Sequence, residues 1–479
     1  MSTAVWNASA DVVVVGYGAG GAAAAIAAAD AGARVLVLEA TAAGGGNCVH
    51  SGGFLFDVAP GEAGVDYLDA LCFGRTPREI LRVYADGLHG LREWLASLGA
   101  TTFDFPDPPG KLPAEFPAWP YFPGGRQTRR WMVEGADGRP GPALWQVLDA
   151  ACATRGVEVR HGFRARELVL GEDGSVVGVR GEAGDGPLAV RARGGVLLTC
   201  GGFEGDPELA DAHLPLPTVA LCHQANRGDG LRMGRQAGAS EWHLYGCFGW
   251  FSYVAEGFEA PFGLDVFAPG FLLVDADGRR FADETGHEAH DRLRSLLTYL
   301  PHRENRPKLP SWLIFDEPTR LAGALNGMLG TPNDYAWSQD NSAEIDRGWI
   351  LRADTAAGLA AQMGVEEAVL GATLDAYVQA AEQRFDPLFG RDPATLTELE
   401  PPLHAIRCMP AVAGTVGGPR HDERGRVVRP DRTAIPGLYA AGAVSLVFGH
   451  LIDFGGGLTD AMVFGGIAAR DASARSQAA

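Results

Sequence analysis

The sequence predicts an α/β fold with a parallel sheet, and two observations near its start carry that prediction. A valine-rich run at 11–15 leads into a Gly-x-Gly-x-x-Gly turn at 16–21 and then into an alanine-rich stretch. A second apolar run, at 35–38, ends at the acidic Glu39. This order of strand, glycine turn, helix, strand and acid is typical of a Rossmann-type dinucleotide site.

The glycines of this turn have distinct steric tasks in such a site. Gly16 forms the tight turn, Gly18 lets the backbone approach a pyrophosphate, and Gly21 lets helix and strand pack closely. Gly20 lies in the same turn. The start of the helix supplies N–H donors for the phosphates, and Glu39 is spaced to hold a ribose diol.

Composition and charge narrow the class of protein. With 479 residues, 46% of them hydrophobic, the chain is long enough for a large core and two domains. A formal net charge of -19 opposes binding to nucleic acid and to anionic membrane surfaces. Seven scattered cysteines without CxxC spacing argue against a disulfide framework. We predict a cytoplasmic protein without a metal site, a leader or a membrane span.

Further along the chain, the pattern predicts a return to the first sheet and a second domain. A helix is expected at about 142–155, followed by a small β-meander of short runs between 157 and 190. A separate buried strand at 195–200 ends in glycines, and we expect it to rejoin the first sheet. Between about 241 and 410 the composition shifts to aromatic, proline and charged residues, which marks the candidate second domain.

Glycine-rich motifs recur in a fixed order along the chain. A loop at 44–53 follows the first βαβ unit, and its missing side chains suit a backbone that passes close to a flat ligand. The later motifs are Thr199-Cys-Gly201-Gly202-Phe203, Asn226-Arg-Gly228-Asp229-Gly230, the run at 274–284, Ile314-Phe-Asp316, Thr415-Val-Gly417-Gly418 and Pro436-Gly-Leu-Tyr-Ala-Ala-Gly442. In this joint order the chain resembles the flavoprotein superfamily of fumarate reductases, 3-ketosteroid dehydrogenases and related desaturases.

The resemblance implies FAD, bound non-covalently in an extended pose, and two domains. The Rossmann-type FAD-binding domain would be built from both chain ends, 1–240 and 411–479, with an α+β cap domain inserted at 241–410. A helix after the C-terminal glycine turn would aim its N-terminus at the flavin. Beside the first turn and Glu39, the residues assigned to FAD are Gly45, Gly46, Asn47, Cys48, Ser51, Gly52, Gly53, Thr199, Gly201, Gly202, Asn226, Asp229, Gly442, Gly456, Gly457 and Leu458.

Departures from the family pattern bear on the substrate. By that pattern the proton-donating arginine of fumarate reductases would fall at Glu288, and a clamp histidine at Ala413. A clamp arginine would fall at Ile452 or Asp453. Acids at these positions repel a dianion, so we predict that the chain does not reduce dicarboxylates. The position that matches a covalent flavin attachment is about Gly46, which has no side chain to form the bond.

The proline- and aromatic-rich segment at 116–125 resembles the ketosteroid dehydrogenase loop that contributes an active-site tyrosine. The register places that tyrosine on Trp119 or Ala118, with Tyr121 close by. The other family tyrosine, just before the C-terminal glycine turn, is missing from the run at 451–453. These departures favour a cyclic ketone or enone smaller than a steroid.

The reaction that the resemblance implies is desaturation next to a carbonyl. One hydrogen leaves the α-carbon as a proton, and the other leaves the β-carbon as a hydride to flavin N5. A hydrogen-bond donor would stabilise the enolate, and a base would take the proton. The candidate donors are Tyr121 and Tyr253, and the candidate bases or relays are His50, His287, His450 and Asp453.

The sequence leaves three alternatives open. The same machinery run backwards would reduce an enone or another activated alkene. Asp453 and Glu288 would suit the oxidation of a cationic amine. A flavin-binding protein without catalysis is the third alternative. Because the sequence has no haem or iron–sulfur motif, electrons would leave to oxygen, a diffusible acceptor or a separate redox protein.

Overall fold

The computed structural model describes residues 5–105, 118–136, 138–184, 186–266, 268–286, 288–299, 308–326 and 333–478. Within them the strands are β1 (Ala8–Val15), β2 (Val35–Leu38), β3 (Leu55–Asp57), β4 (Thr102–Asp104), β5 (Arg129–Val133), β6 (Glu158–Arg160), β7 (Arg164–Leu170), β8 (Val176–Ala183), β9 (Gly186–Leu198), β10 (Val219–Ala220), β11 (Glu241–Trp242), β12 (Cys247–Tyr253), β13 (Phe262–Gly263), β14 (Phe271–Val274), β15 (Ser311–Phe315), β16 (Ile350–Ala353), β17 (Leu403–Thr415), β18 (Gly418–Pro419), β19 (Arg426–Val428) and β20 (Ala434–Ala440). The helices are α1 (Ala19–Asp30), α2 (Glu62–Cys72), α3 (Arg78–His89), α4 (Leu91–Ser97), α5 (Pro140–Thr154), α6 (Pro207–His213), α7 (Asp229–Gln236), α8 (Glu317–Leu321), α9 (Ser342–Asp346), α10 (Ala356–Met363), α11 (Glu367–Gln383) and α12 (Gly456–Ala478).

The first sheet joins the two ends of the chain. In the described residues its main path runs β19-β20-β9-β1-β2-β6, with β7 and β8 attached through β9. Strand β1 pairs in parallel with β2 and with β9, and the C-terminal β20 pairs in parallel with β9. The valines of β1 are buried on both faces, as parallel strands covered by helices require. The predicted α/β fold, with one sheet built from both chain ends, is confirmed.

Helices α1 and α12 pack closely together through small residues. A Cβ on Gly20 would lie 3.3 Å from that of Ala461, and a Cβ on Gly465 would lie 2.6 Å from the carbonyl oxygen of Gly20. This close contact fixes the start of α12 near the first glycine turn. Among the helices of the described ranges, none combines the length and apolar character needed to cross a bilayer.

One prediction for the middle of the first domain is wrong. The expected meander strand near 190 and the separate strand at 195–200 form one continuous strand, β9. Its pairing with β1 shifts register between Ala10 and Val12, which marks a β-bulge. Because of this bulge, one long strand pairs both with the meander strand β8 and with the parallel strand β1. Strand β6, expected in the meander, instead pairs in parallel with β2.

A second sheet supports the far side of the site. In the described part of the chain it has the order β13-β12-β17-β15-β14, with β10 and β16 also paired to β17. It reaches from β10, before the predicted cap boundary at 241, to the end of β17, beyond the predicted boundary at 410. The last residues of β17 therefore carry the sheet back towards the nucleotide domain.

Candidate active site

A long cavity runs from the first glycine turn to the N-terminus of α12, between the two sheets. Most of the residues predicted to hold the cofactor lie in its wall. They are Gly16, Gly18, Gly20, Glu39, Gly45, Gly46, Asn47, Cys48, Ser51, Gly52, Gly53, Thr199, Gly201, Asn226, Asp229, Gly442, Gly457 and Leu458.

Three other predicted glycines lie behind the wall, where they allow close packing. A Cβ on Gly21 would lie 1.9 Å from the carbonyl oxygen of Gly16, which makes it the contact between helix and strand. A Cβ on Gly202 would lie 2.1 Å from Thr415 Oγ1. A Cβ on Gly456 would lie 2.8 Å from the Phe448 ring, so any side chain there would displace the start of α12.

The nucleotide end of the cavity is organised by Glu39. The Tyr17 N–H donates to its Oε2 at 2.8 Å, and the Thr41 N–H and hydroxyl donate to its Oε1 at 2.8 and 2.6 Å. These bonds fix the carboxylate beside the turn while leaving it further acceptor capacity for a ribose hydroxyl. Gly16 turns the chain with φ +100°, and a Cβ there would lie 2.6 Å from the Thr199 carbonyl oxygen.

Asn47 ties the glycine loop to both sides of the cavity. Its Oδ1 accepts from the His223 N–H at 2.9 Å, and its Nδ2 donates to the Ala413 carbonyl at 2.8 Å. The same Nδ2 donates to Glu204 Oε1 at 3.1 Å. Asn47 therefore links three chain segments by hydrogen bonds and also lines the cavity.

Glu204 extends this hydrogen-bond network, although the sequence analysis did not identify it. Its Oε1 also accepts from Asn226 Nδ2 at 2.7 Å, and its Oε2 accepts from the hydroxyl and N–H of Thr415 at 3.1 and 3.3 Å. Burial raises the pKa of the Glu204 carboxyl. Four donors thus converge on one buried acid, as buried polar groups require.

The inner end of the cavity, beside the start of α12, is aromatic. Phe248, Trp250, His290 and Phe454 line it. The His290 ring lies edge-on to Phe454 at 4.2 Å and to Trp250 at 4.7 Å between ring centroids. Gly455, with φ +86°, turns the chain into α12, whose first-turn N–H groups give this end a partial positive character.

His290 is the functional candidate that sequence reasoning missed. Its Nδ1 lies 2.7 Å from Glu288 Oε1, and its backbone N–H donates to Glu288 Oε2 at 2.8 Å. Glu288 is 2% exposed. The His-Glu-Ala-His run at 287–290 was the available signal, but the sequence analysis selected its first histidine, His287, and not His290. His287 lies outside the described residues.

Asp453 lies in the cavity wall as part of a buried ion pair. Arg130 donates to its Oδ1 at 2.5 Å, and the Tyr67 hydroxyl donates to its Oδ2. Burial, followed by the nearby Asp453 carboxylate, raises the pKa of Tyr67. The negative charge of Asp453 is therefore compensated. Among the described residues that line the cavity, there is no arginine or lysine.

His50 lies beside the cavity rather than in its wall. Its ring stacks 6.3 Å from that of His223, which does line the cavity. Burial lowers the pKa of His50 to about 4. Its role as a base stays a prediction without a contact to the aromatic end.

The structure does not bring the other predicted catalytic side chains to the cavity. Tyr121 is 89% exposed. Tyr253 packs on Trp349, 5.5 Å away, and His450 packs on Phe73, 4.2 Å away. None of the three lies in the described wall of the cavity. We therefore do not retain them as contacts to a substrate.

Comparison with known proteins identifies the family. The sequence profile of the FAD binding domain matches residues 11–459. A 3-oxosteroid 1-dehydrogenase of Mycolicibacterium smegmatis is 30% identical over 371 residues, covering 71% of this chain and 63% of the relative. A 4-oxocyclohex-2-ene-1-carboxylate 5-dehydrogenase of Sinomonas cyclohexanicum is 27% identical over 379 residues, covering 72% and 62%. The crystal structure of a 3-ketosteroid delta1-dehydrogenase from Sterolibacterium denitrificans has a TM-score of 0.82 at 24% identity, covering 97% of this chain and 99% of that one.

The fold and the cavity define a flavoprotein. The chain belongs to the FAD binding domain family, and its relatives include 3-oxosteroid dehydrogenases and a fumarate oxidoreductase, which confirms the predicted superfamily. Its cofactor is FAD. The chain spans less than two thirds of the length of the two curated relatives described above. The likeness to the solved structure, at 24% identity, establishes the fold alone.

The residues of the cavity fit FAD. The wall at the first turn has no side chain at Gly16 or Gly18, which leaves the backbone open to a pyrophosphate. The Glu39 carboxylate suits a ribose diol, and the start of α12 suits the electron-rich edge of the flavin. These elements would hold the two ends of an extended dinucleotide.

Proposed function

We propose that this protein is an FAD-dependent dehydrogenase that introduces a C=C bond next to the carbonyl of a small, uncharged cyclic ketone. FAD, when bound, supplies an acceptor for the hydride that leaves the β-carbon. The protein encloses the ring, excludes water and takes the α-proton. A separate acceptor, either oxygen, a diffusible molecule or a redox protein, would then collect the electrons.

The aromatic inner end of the cavity, whose described wall contains no arginine or lysine, is the observation that carries this proposal. Phe248, Trp250 and Phe454 give this end an apolar aromatic lining, which suits a cyclic substrate. A carboxylate there would have no arginine or lysine partner in the described wall, so the cost of removing it from water would not be offset. The Sinomonas relative is named for a six-membered oxo-carboxylate ring. The ring suits this cavity, whereas its carboxylate does not.

The arrangement of the two acids argues against an amine substrate. Asp453 is paired with Arg130, and Glu288 is bonded to His290. A cationic amine would have to displace one of these partners from a buried carboxylate, which costs free energy. We therefore favour an uncharged substrate, and the reverse reaction on the matching enone remains part of the same proposal.

Anaerobic reduction of the bound flavin tests the proposal. The purified holoenzyme is mixed with cyclohexanone derivatives, their keto acids and cyclic amines while the absorbance of oxidised flavin is followed. We expect bleaching by uncharged cyclic ketones and much slower bleaching by the keto acids. Reduction by dithionite serves as the control for a competent flavin. Bleaching by amines alone, or by none of the compounds, would contradict the proposal.

A further inference from the structure

We propose that His290 removes the α-proton of the substrate through Nε2, and that Glu288 positions its ring for this task. This inference rests on the proposed function, because it assigns the base for a ketone bound in the same cavity. His290 lies in the aromatic wall of that cavity, and Glu288 lies behind it. The pair is a histidine–carboxylate dyad, defined here as His290 and Glu288.

The hydrogen bonding of the dyad selects the reactive nitrogen. Nδ1 of His290 lies 2.7 Å from Glu288 Oε1, so a proton on Nδ1 donates to the carboxylate. That tautomer leaves the lone pair on Nε2. Within the described residues, no hydrogen bond is made to Nε2. Nε2 is therefore the ring nitrogen available to a bound molecule.

Glu288 is held in place by the helix that it begins. Its Oε2 accepts from the His290 backbone N–H at 2.8 Å, which caps the 3₁₀ helix Ala289–Leu297. Its side chain is 0% exposed. Both oxygens of one buried carboxylate thus orient one residue, through its ring and its backbone. When His290 takes a proton, this carboxylate faces the new positive charge directly.

The aromatic neighbours of His290 restrict its ring and keep water away. Phe454 and Trp250 approach it edge-on at 4.2 and 4.7 Å between centroids. The ring centroid of Phe248, which also lines the cavity, lies 5.7 Å from that of His290. A base among apolar walls transfers protons without competition from bulk water, provided that its charge is compensated. Glu288 supplies that compensation.

Three other titratable groups close to the cavity or to His290 are less suitable for this step. Asp453 is held by Arg130 and Tyr67, so both of its oxygens already have strong donors. His50 stacks beside His223, towards the glycine loop. Asp291, the acid next to His290 in sequence, is bonded to Arg294. Of these groups, only His290 combines a place in the aromatic wall with an uncommitted nitrogen.

The assigned step is an enolisation. The bond between the α-carbon and its hydrogen breaks, an N–H bond forms at Nε2, and the electron pair stays on the substrate as an enolate. This step involves no oxidation or reduction. It is therefore measurable on its own, in an enzyme whose flavin has already been reduced and cannot accept a hydride.

Exchange of the α-hydrogens with solvent deuterium tests the dyad. Dithionite-reduced holoenzyme is incubated in D₂O with a saturating cyclohexanone derivative, and exchange is followed by proton NMR. We expect exchange by the wild type and a loss of roughly 100-fold in His290→Ala, the lower range for general base catalysis. Added imidazole should restore part of the exchange in His290→Ala. The matched control is His89→Ala, an exposed histidine of α3, which should exchange at the wild-type rate.

The positioning role of Glu288 has its own readout. In Glu288→Gln we expect exchange at saturating ketone to fall about 10-fold, by analogy with carboxylates that orient metal-binding histidines. The ketone concentration at half saturation, read from the perturbed flavin spectrum, should not change. Loss of FAD or of ketone binding in this variant would indicate a structural role and overturn the assignment.

The outcomes separate this inference from the proposed function. If the wild type exchanges no ketone that perturbs its flavin spectrum, the proposed function fails together with the dyad. If His290→Ala binds the ketone and exchanges it at the wild-type rate, the dyad is overturned and the proposed function stands. Rescue by imidazole in His290→Ala, without rescue in Glu288→Gln, supports the division of roles.

Discussion

Nδ2 of Asn47 donates a hydrogen bond of 3.1 Å to Oε1 of Glu204, and this bond joins the glycine loop to the segment that follows β9. Glu204 also collects donors from Asn226 and from Thr415 at the end of β17. The loop that faces the cofactor is therefore fixed by a buried acid with no place of its own in the cavity wall. Cofactor retention and folding stability should be linked through Glu204.

Glu204→Gln should weaken both properties. A glutamine amide group would face two of the four donors that now point at the carboxylate, which leaves buried donors without an acceptor. We expect the free energy of unfolding to fall by about 2 kcal/mol and FAD to be lost more easily during gel filtration. Denaturant unfolding and the ratio of FAD to protein measure these effects. The control is Glu208→Gln, an exposed acid of α6, and equal results for both variants would refute the link.

The ion pair of Arg130 and Asp453 should behave as one unit in a double-mutant cycle. Removing one partner leaves a charge buried beside the cavity, so Asp453→Asn and Arg130→Met should each cost about 3 kcal/mol of stability. The double variant should cost clearly less than the sum, because it removes both charges of the pair. Urea unfolding of the four proteins measures the coupling. Additive losses would show that the two side chains act independently.

Glu39→Ala should weaken FAD binding strongly. The variant removes a charged acceptor at the end of β2, and the loss of such bonds is worth about 1.5–3 kcal/mol, or roughly 10- to 100-fold in Kd. Glu39→Gln keeps one acceptor oxygen, so its Kd for FAD should lie between those of Glu39→Ala and the wild type. Titration of the apoprotein with FAD, followed by fluorescence quenching, gives the Kd. A wild-type affinity for FAD in Glu39→Ala would contradict the ribose role. The control is Glu158→Ala, which removes an exposed acid of β6.

His404 should make the protein sensitive to acid. Its side chain is 0% exposed and its ring stacks on Phe315, and burial lowers its pKa to about 4. An unfolded histidine has a pKa near 6.5, so between that pH and pH 4 the unfolded chain binds a proton at His404 more readily than the folded protein does. The free energy of unfolding is therefore unaffected by His404 above pH 6.5 and decreases as the pH falls towards 4. At pH 5 this loss amounts to about 2 kcal/mol.

His404→Phe should remove that part of the acid sensitivity. Urea unfolding at pH 8 and pH 5 compares the two proteins, with all other titrating groups held the same. The fall in unfolding free energy between these pH values should be smaller in the variant by about the amount above. An equal fall in both proteins would mean that His404 does not titrate on unfolding.

The parts of the fold that sequence predicted depend on local sterics. Gly16 has a positive φ and Gly21 packs against a carbonyl oxygen, and the glycine spacing of one turn predicts both features. The parallel strands followed from continuous apolar runs. The single strand β9 escaped prediction because Gly194 and Gly195 look like a break, whereas a bulge carries the strand through them.

The parts that escaped prediction depend on long-range contacts. Arg130 and Asp453 lie 323 residues apart in sequence, and nothing near either one indicates the other. In the His-Glu-Ala-His run, the choice of His290 depends on the cap that Glu288 makes and on the aromatic residues of β12. Tyr121 was chosen by resemblance, and its loop holds it in solvent.

The product of one anaerobic turnover tests the central claim most directly. The oxidised holoenzyme is mixed with an excess of an uncharged cyclohexanone, quenched, and analysed by mass spectrometry against the amount of flavin reduced. We expect one conjugated enone, lighter than the ketone by two hydrogens, for each flavin reduced. Reduced flavin without enone, or a ketone recovered intact beside oxidised flavin, would contradict it.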